Sequence, residues 1–123
     1  MAAIMVSEER QAVDAHVAAL NRGDLQDVLD TFTVDAVFSS DAGIARGHAE
    51  LAGLFDNVGA TDRPTTILRR ALQDGPVLDC VLTRRFVVSD EQGRVAAAHD
   101  VEVRAVFTVS AGAISLIQVD PIV

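Results

Sequence analysis

The side chains that could do chemistry in this chain are few, and the missing types narrow the possible reactions. Of the 123 residues, three are histidine, one is cysteine and ten are basic, and every basic residue is an arginine. Because lysine and tyrosine are absent, a lysine Schiff base and a phenol acting as acid or oxyanion donor are excluded. Histidine and the carboxylates are left for proton transfer, and arginine for anion binding.

Three polar side chains interrupt apolar patterns and are therefore candidates for a site. His16 falls in the apolar stripe of a predicted helix, and Arg84 and His99 fall in the apolar phases of two predicted strands. A histidine of pKa about 6.5 beside a guanidinium suits proton abstraction from, or anion binding of, an enolisable compound. The alternative is that each histidine satisfies a backbone group and that Arg84 pairs with an acid such as Asp41.

Cysteine and metal chemistry are not indicated. Cys80 is the only cysteine, so it has no disulfide partner, and its place in the apolar phase of VLDCVL predicts a buried structural thiol rather than a nucleophile. The three histidines have no close spacing, and no glycine-rich phosphate loop is present. We therefore expect neither a metal nor a cofactor.

Two short helices are expected first. Ser7 is predicted to cap a helix that ends at Gly23, and Asp24 to cap the next. The first helix has an apolar stripe at i, i+3, i+4 and i+7, formed by Val13, His16, Val17 and Leu20. The second carries Leu25, Val28, Leu29 and Phe32. Residues 36–40 are then predicted as a strand, GIARG as a loop, and HAELAGLFDNV from His48 as a third helix with Leu51, Leu54, Phe55 and Val58 inward.

Four long strands follow, because the apolar period changes to two. They are predicted over residues 65–73, 76–89, 94–109 and 113–122. Helices followed by such a meander predict a single α+β domain over residues 1–123, with the helices on one face of a curved antiparallel sheet.

The register of the middle hairpin depends on its loop. A four-residue loop over 90–93 aligns the apolar phases, whereas a five-residue loop would set them on opposite faces. The four-residue loop is preferred; it places Cys80 opposite Val103 and makes Arg84 and His99 direct neighbours. On the outer face it sets Asp79 opposite Arg104 and Thr83 opposite Asp100. There a cross-strand charge ladder on a solvated face or polar interface is favoured over a catalytic cluster.

Charge and hydropathy exclude some partners. A net charge of −8 with scattered arginines argues against nucleic acid. The longest apolar runs fall far short of the about 20 residues that span a bilayer. MAAIMV lacks the basic start and long apolar core of a secretory signal, so a cytoplasmic protein is expected.

The stretch AALNRGDLQDVLDTFTVDAVF, followed by Gly47 and a helix, and FTVSAGAISLI near the end together resemble the nuclear transport factor 2-like superfamily. The resemblance is closest to its ketosteroid isomerase and SnoaL-like polyketide cyclase branches. It implies a cone in which a curved sheet and three helices enclose a deep apolar pocket for a small hydrophobic molecule, usually in a homodimer. The superfamily includes isomerases, dehydratases, cyclases, epoxide hydrolases and non-catalytic modules.

The resemblance places the isomerase's catalytic positions on residues of other types. Its carboxylate base falls at Ser40, with Asp41 one place further on, its tyrosine at His16, and its second acid at Val103 or Arg104. A serine hydroxyl is too weak a base to shuttle a proton between carbons. A standard ketosteroid isomerase is therefore not expected.

The epoxide hydrolase pattern is also incomplete. Arg84 falls near its arginine, but Phe86 occupies a carboxylate position, and Asp120 lies within one residue of its last aspartate. A two-residue turn before the last strand would face Leu116, Gln118 and Asp120 inward. A three-residue turn with Gly112 left-handed would face Ile117 and Val119 inward instead. The second is preferred, which leaves Asp120 outside.

The predicted site is a pocket that gathers polar groups among apolar walls. The catalytic candidates are His16, Ser40, Asp41, Arg84 and His99. The candidate walls are Phe32, Phe38, Phe55, Phe86, Val103 and Phe107. We expect a cofactor-independent enzyme acting on a hydrophobic cyclic or polyketide-like compound; the alternative is a non-catalytic ligand-binding or dimerisation module with the same fold.

Overall fold

The computed structural model describes residues 6–60 and 63–121, so most of MAAIMV and Ile122 of the predicted last strand lie outside the described residues. The helices are α1 (Glu8–Arg22), α2 (Leu25–Asp30) and α3 (Gly47–Leu54). The strands are β1 (Phe32–Ser40), β2 (Gly43–Arg46), β3 (Thr65–Asp74), β4 (Val77–Ser89), β5 (Val95–Ser110) and β6 (Ala113–Pro121). Within the described residues, none of the helices has the length and apolar character needed to cross a bilayer.

The caps predicted for the first two helices are present. The Ser7 hydroxyl accepts a hydrogen bond from the Arg10 amide at 3.0 Å, and the Asp24 carboxylate accepts one from the Asp27 amide at 3.1 Å. Gly23 ends α1 with φ 75°, a left-handed conformation that glycine adopts without a Cβ penalty. Because α2 begins immediately after this glycine, the chain makes a sharp corner between the two helices.

The six strands form one mixed sheet in the order β2-β1-β6-β5-β4-β3. The prediction of an antiparallel sheet is wrong at one place, because β1 pairs with β6 in parallel. The segment GIARG was also predicted wrongly, since residues 43–46 form β2 and pair antiparallel with β1. β2 has four residues, three of them exposed, and so gives little apolar periodicity.

The core lies between the helices and the inner face of the sheet. α1 contributes Val13 and Ala19, α2 contributes Val28 and α3 contributes Leu51, all fully buried. The sheet contributes Leu78, Cys80, Phe107, Ile114 and Ile117. The predicted burial of Cys80 is confirmed, and it raises the pKa of the thiol to about 11, which disfavours the nucleophilic thiolate.

The β4–β5 hairpin keeps the predicted facing but not the predicted register. Its loop has five residues, since Ser89 pairs with Val95, and a bulge leaves Ala96 unpaired before Val88 meets Ala97. The bulge restores the facing that a five-residue loop would have reversed. All later pairs are displaced, so Cys80 lies opposite Ala105 and not opposite Val103.

The β5–β6 connection gives the predicted facing by an unexpected route. The turn has two residues, Ala111 and Gly112, with φ of 50° and 80°. A bulge at Ser115 then reverses the facing. Ile117 and Val119 consequently face inward and Asp120 lies exposed outside, as predicted, although the three-residue turn is wrong.

The outer face of β4 and β5 carries the predicted charge ladder in a displaced register, since Arg104 binds Asp79 as predicted although Val106 lies opposite Asp79. Arg85 binds Asp100 through two hydrogen bonds of 2.9 and 3.1 Å, and Arg104 binds Asp79 through bonds of 2.9 and 2.6 Å. These bonds lower the pKa of both carboxyls. Thr83 lies opposite Glu102 and not opposite Asp100.

Candidate functional site

A cavity of about 640 Å³ opens between the inner face of the sheet and the segment that follows α3. We call it the main cavity. Its lining includes seven predicted site residues, namely Phe38, Ser40, Asp41, Phe55, Arg84, Phe86 and Val103. It also includes Leu54, Asn57, Arg63, Pro64 and Thr66, which were not predicted as site residues.

A smaller inner chamber of about 60 Å³ lies below the main cavity. The two share lining residues, including Phe38, Phe55, Arg84 and Val103, so they lie directly beside each other. His16 and Phe107 line only the chamber. A ligand that enters the main cavity can therefore reach His16 only with the part that fills the chamber.

The hydrogen bonds of His16 define its tautomer. Its Nδ1 lies 2.9 Å from the Thr31 hydroxyl oxygen, and that hydroxyl donates to the Val28 carbonyl at 2.6 Å. A hydroxyl has one proton, and a carbonyl oxygen can only accept. Nδ1 must therefore carry a hydrogen that it donates to Thr31, which leaves Nε2 with its lone pair. No described residue forms a hydrogen bond with Nε2.

The surroundings of His16 keep the imidazole neutral. The side chain is only 3% exposed, and burial lowers its pKa to about 4. The rings of Phe32, Phe55 and Phe107 pack against it edge to face, with centroid distances of 5.2 to 6.1 Å. At neutral pH His16 is an uncharged proton acceptor in an aromatic setting.

Arg84 lies at the junction of the main cavity and the inner chamber and lines both. Its register partners are Thr66 on β3 and Val101 on β5, neither of which is charged. Among the described residues it forms no ion pair, so the alternative of a pair with Asp41 is not realised. Its guanidinium is therefore available to a ligand.

A second arginine of the main cavity could not have been found from periodicity. Arg63 lies in the connection before β3, where no apolar pattern exists. Its guanidinium donates to the carbonyls of Ala60 and Asn21, both at 3.1 Å. Because Asp41 is the only carboxylate among the described lining residues, the described wall has an excess of positive charge in a chain of net charge −8.

His99 lies outside both spaces, which corrects its predicted position. It is exposed on β5 and stacks on Phe86, with ring centroids 5.1 Å apart. The predicted direct pairing with Arg84 is wrong, because the five-residue loop and the bulge at Ala96 place Val101 opposite Arg84. Direct cooperation between these two side chains is therefore not supported.

Other predicted residues have supporting positions. Phe32 is buried behind His16 and lines neither space. Ser40 lies at the cavity wall, where its hydroxyl accepts from the Ala42 amide at 3.2 Å, and Asp41 beside it is exposed. His48 is half-buried, with Nε2 3.1 Å from the Thr33 carbonyl, which ties α3 to β1.

Comparison with known proteins identifies the architecture. The family model for the SnoaL-like domain matches residues 13–117. Among curated proteins, none matches this sequence. Solved structures that superpose on the chain include an NTF2-like protein of unknown function from Burkholderia pseudomallei, with TM-score 0.75 and 20% identity over 95% of this chain and 92% of that one. The fold is therefore the nuclear transport factor 2-like α+β fold, with a mixed sheet and three helices.

Two further neighbours are enzymes by description. SalBIII, an epoxide hydrolase/cyclase-like enzyme with a role in pyran ring formation in the polyether salinomycin, has TM-score 0.76 and 19% identity over 93% of this chain and 90% of its own. An LEH-like epoxide hydrolase from M. tuberculosis has TM-score 0.73 and 22% identity over 94% and 83%. At these identities the likeness extends to the fold alone.

Proposed function

This chain belongs to the SnoaL-like domain family, and from that premise we propose that it is a small-molecule enzyme that moves a proton on a hydrophobic cyclic or polyketide-like compound. Isomerisation, cyclisation and dehydration are the reactions of this kind, and they need no cofactor. The observation that carries the proposal is the neutral His16, which lines the inner chamber and whose Nε2 has no hydrogen-bond partner among the described residues.

His16 is proposed as the base. Its pKa of about 4 makes it weak, but it is deprotonated throughout the neutral range. A base of similar strength works in ketosteroid isomerase, where a carboxylate of pKa about 4.6 acts together with oxyanion donors. A weak base is sufficient when the enolate that forms is stabilised at the same time.

Arg84 is proposed to supply that stabilisation. Arg84 lines the same chamber as His16 and has no carboxylate partner among the described residues. The Arg84 side chain is exposed, so its charge acts on a developing enolate from the open side of the aromatic walls formed by Phe38, Phe55 and Phe107. Arg63 adds a second positive charge further out in the main cavity.

Hydrolysis of an epoxide is the less supported reaction. Phe86 occupies a position where the epoxide hydrolase pattern has a carboxylate, and Asp120 is exposed on the outer side of β6. Standard steroid isomerisation is also unsupported, because Ser40 lies where the isomerase pattern has its carboxylate base. The main cavity, about 640 Å³, is within the range of small-molecule sites, and we propose a compound of two or three fused rings as its ligand.

The test is hydrogen exchange at a carbon acid. A panel of hydrophobic cyclic ketones, beginning with 2-tetralone and extending to tricyclic aromatic diketones, is incubated with the protein in D2O and followed by NMR. We expect exchange next to the carbonyl to exceed the buffer rate, and His16→Gln to reduce the enzymatic part by roughly 10²–10⁴. His99→Gln, a histidine replacement outside the cavity, is the matched control and should leave the rate unchanged.

A non-catalytic ligand-binding or dimerisation module is the competing function, favoured by the low basicity of His16. Ligand-dependent melting separates the two, because any compound that binds the native state raises its stability by RT ln(1 + [L]/Kd). Compounds that raise the melting temperature without any accelerated exchange would assign the chain to the module. If no member of the panel binds, the ligand class proposed here is wrong.

A further inference from the structure

We infer that Thr31 is a positioning residue that fixes the proton of His16 on Nδ1 and thereby presents the Nε2 lone pair to the inner chamber. The inference deepens the proposed function, and only its catalytic consequence rests on that function. Thr31 lies at the C-cap of α2. A threonine hydroxyl at a helix end usually hydrogen-bonds to a backbone carbonyl of the preceding turn. Here the hydroxyl connects the helix end to the candidate base.

The direction of the connection follows from the donors and acceptors. The Val28 carbonyl receives both the amide of Thr31 at 3.2 Å and its hydroxyl at 2.6 Å. The short second distance assigns the hydroxyl proton to this carbonyl. The Thr31 oxygen can then only accept from the imidazole, and the 2.9 Å contact requires a proton on Nδ1.

Two corners of the chain create this arrangement. The left-handed Gly23 ends α1 and lets α2 start at once, so the end of α2 returns to the middle of α1, where His16 lies. Thr31 then passes directly into β1 at Phe32, whose ring packs on the same imidazole at 5.2 Å. The imidazole is therefore held by a hydrogen bond at Nδ1 and by aromatic rings around it.

Removal of the hydroxyl should reverse the tautomer. In Thr31→Val the shape of the side chain is kept, but Nδ1–H would be left buried without an acceptor, which is unfavourable. A proton on Nε2 instead faces the chamber, where water can accept it. The side chain would then present a donor to the ligand, and His16 could no longer accept a proton at that atom.

The experiment is nitrogen NMR of the imidazole in uniformly 15N-labelled protein at neutral pH. We expect wild type to show a protonated, pyrrole-type Nδ1 and an unprotonated, pyridine-type Nε2 for His16. Thr31→Val should reverse these signals or average them, and Thr31→Ser, which restores the hydroxyl, should return the wild-type pattern. Thr33→Val removes a hydroxyl that bonds Asp35 on β1 and is the matched control, expected to leave His16 unchanged.

The inference is overturned if His16 in wild type carries its proton on Nε2, or if Thr31→Val leaves the wild-type pattern intact. Both outcomes are measured by NMR in the absence of a substrate. In the exchange assay Thr31→Val should lose about 10–100-fold in rate, with KM changed far less. A confirmed tautomer without any exchange by wild type would remove the proposed function alone, whereas exchange that survives Thr31→Val with an unchanged tautomer would remove this inference alone.

Discussion

Phe86 and His99 stack face to face, with ring centroids 5.1 Å apart and planes inclined by 12°. They are register partners on β4 and β5, beyond the last paired residues of the flanking strands. Phe86 lines the main cavity, whereas His99 is exposed and touches the site only through this ring. His99 therefore has no means of exchanging a proton with a ligand in the inner chamber.

We predict that His99→Gln leaves the exchange rate within about twofold of wild type. The loss of an exposed aromatic stack should reduce the free energy of unfolding by at most about 1 kcal/mol. Rates on the best panel ketone and urea unfolding at one pH test both numbers. If His99→Gln had wild-type stability but a tenfold lower exchange rate, His99 would have to be considered a catalytic residue again.

Local chemistry made several elements predictable. Ser7, Gly23 and Asp24 are cap types whose hydrogen bonds involve residues no more than four positions away, so their sequence neighbourhood is sufficient. His16 could be found because it is polar in an apolar helical stripe. The facing of β4 and β5 was also predictable from local sequence, since apolar residues at every second position of a strand point to the same face.

Register and partners were not predictable, because they depend on single unpaired residues. The bulges at Ala96 and Ser115 each shift a strand's register by one residue and reverse its facing beyond the bulge, so the pairing there does not follow from periodicity alone. Near Ser115 the mistaken turn length and the unseen bulge compensated each other, so the facing was right. Near Ala96 the unseen bulge was not fully compensated, so the prediction that Arg84 lies opposite His99 was wrong. Thr31 was missed because its role requires a contact across 15 residues.

His16 should make stability depend on pH in a defined window. Its pKa is 6.5 as a free side chain and about 4 in the folded protein, so between these values the unfolded chain binds a proton that the folded protein does not. The free energy of unfolding therefore falls as the pH is lowered from about 6.5 to 4, by roughly 3 kcal/mol at most. Urea unfolding at several pH values measures this loss.

The variants that test this pH dependence between 6.5 and 4 are His16→Gln and, as its control, His99→Gln. His16→Gln removes the titration and should flatten the dependence between pH 6.5 and 4, whereas His99→Gln should keep it. The ladder carboxyls Asp79 and Asp100 cannot mimic the effect, because hydrogen bonds from arginine lower their pKa and move their contribution to more acidic pH. Equal slopes in wild type and His16→Gln would contradict the buried neutral imidazole.

We predict a homodimer joined through the outer face of the sheet. That face has the ladder pairs Arg85–Asp100 and Arg104–Asp79, whose charges cancel within each pair, and the half-buried Val106, which lies on β5 opposite Asp79. Paired charges of both signs let this face meet its own copy even though the chain has a net charge of −8. Light scattering at micromolar concentration should give twice the chain mass.

Val106→Lys should weaken this dimer, because it adds an unpaired charge to the face. Ala49→Lys adds the same charge to the exposed side of α3 and should leave the mass unchanged. A monomer mass for wild type would exclude the dimer. A dimer that survives Val106→Lys would place the interface elsewhere.

Arg84 should give the cavity a preference for anionic ligands. Arg84 lines both spaces and has no carboxylate partner among the described residues, so its guanidinium can bind a carboxylate or an enolate directly. The test compares 2-naphthoate with 2-naphthamide, which share the ring system and differ in charge. We expect wild type to bind the acid about tenfold more tightly, and added salt to reduce this preference.

In Arg84→Gln the two ligands should bind equally, because the glutamine keeps hydrogen-bonding capacity but removes the charge. Arg46→Gln removes an exposed arginine outside the cavity and should keep the full preference. If Arg84→Gln also keeps it, the preference comes from elsewhere, with Arg63 the first candidate, and Arg84 would lose its proposed place opposite the enolate.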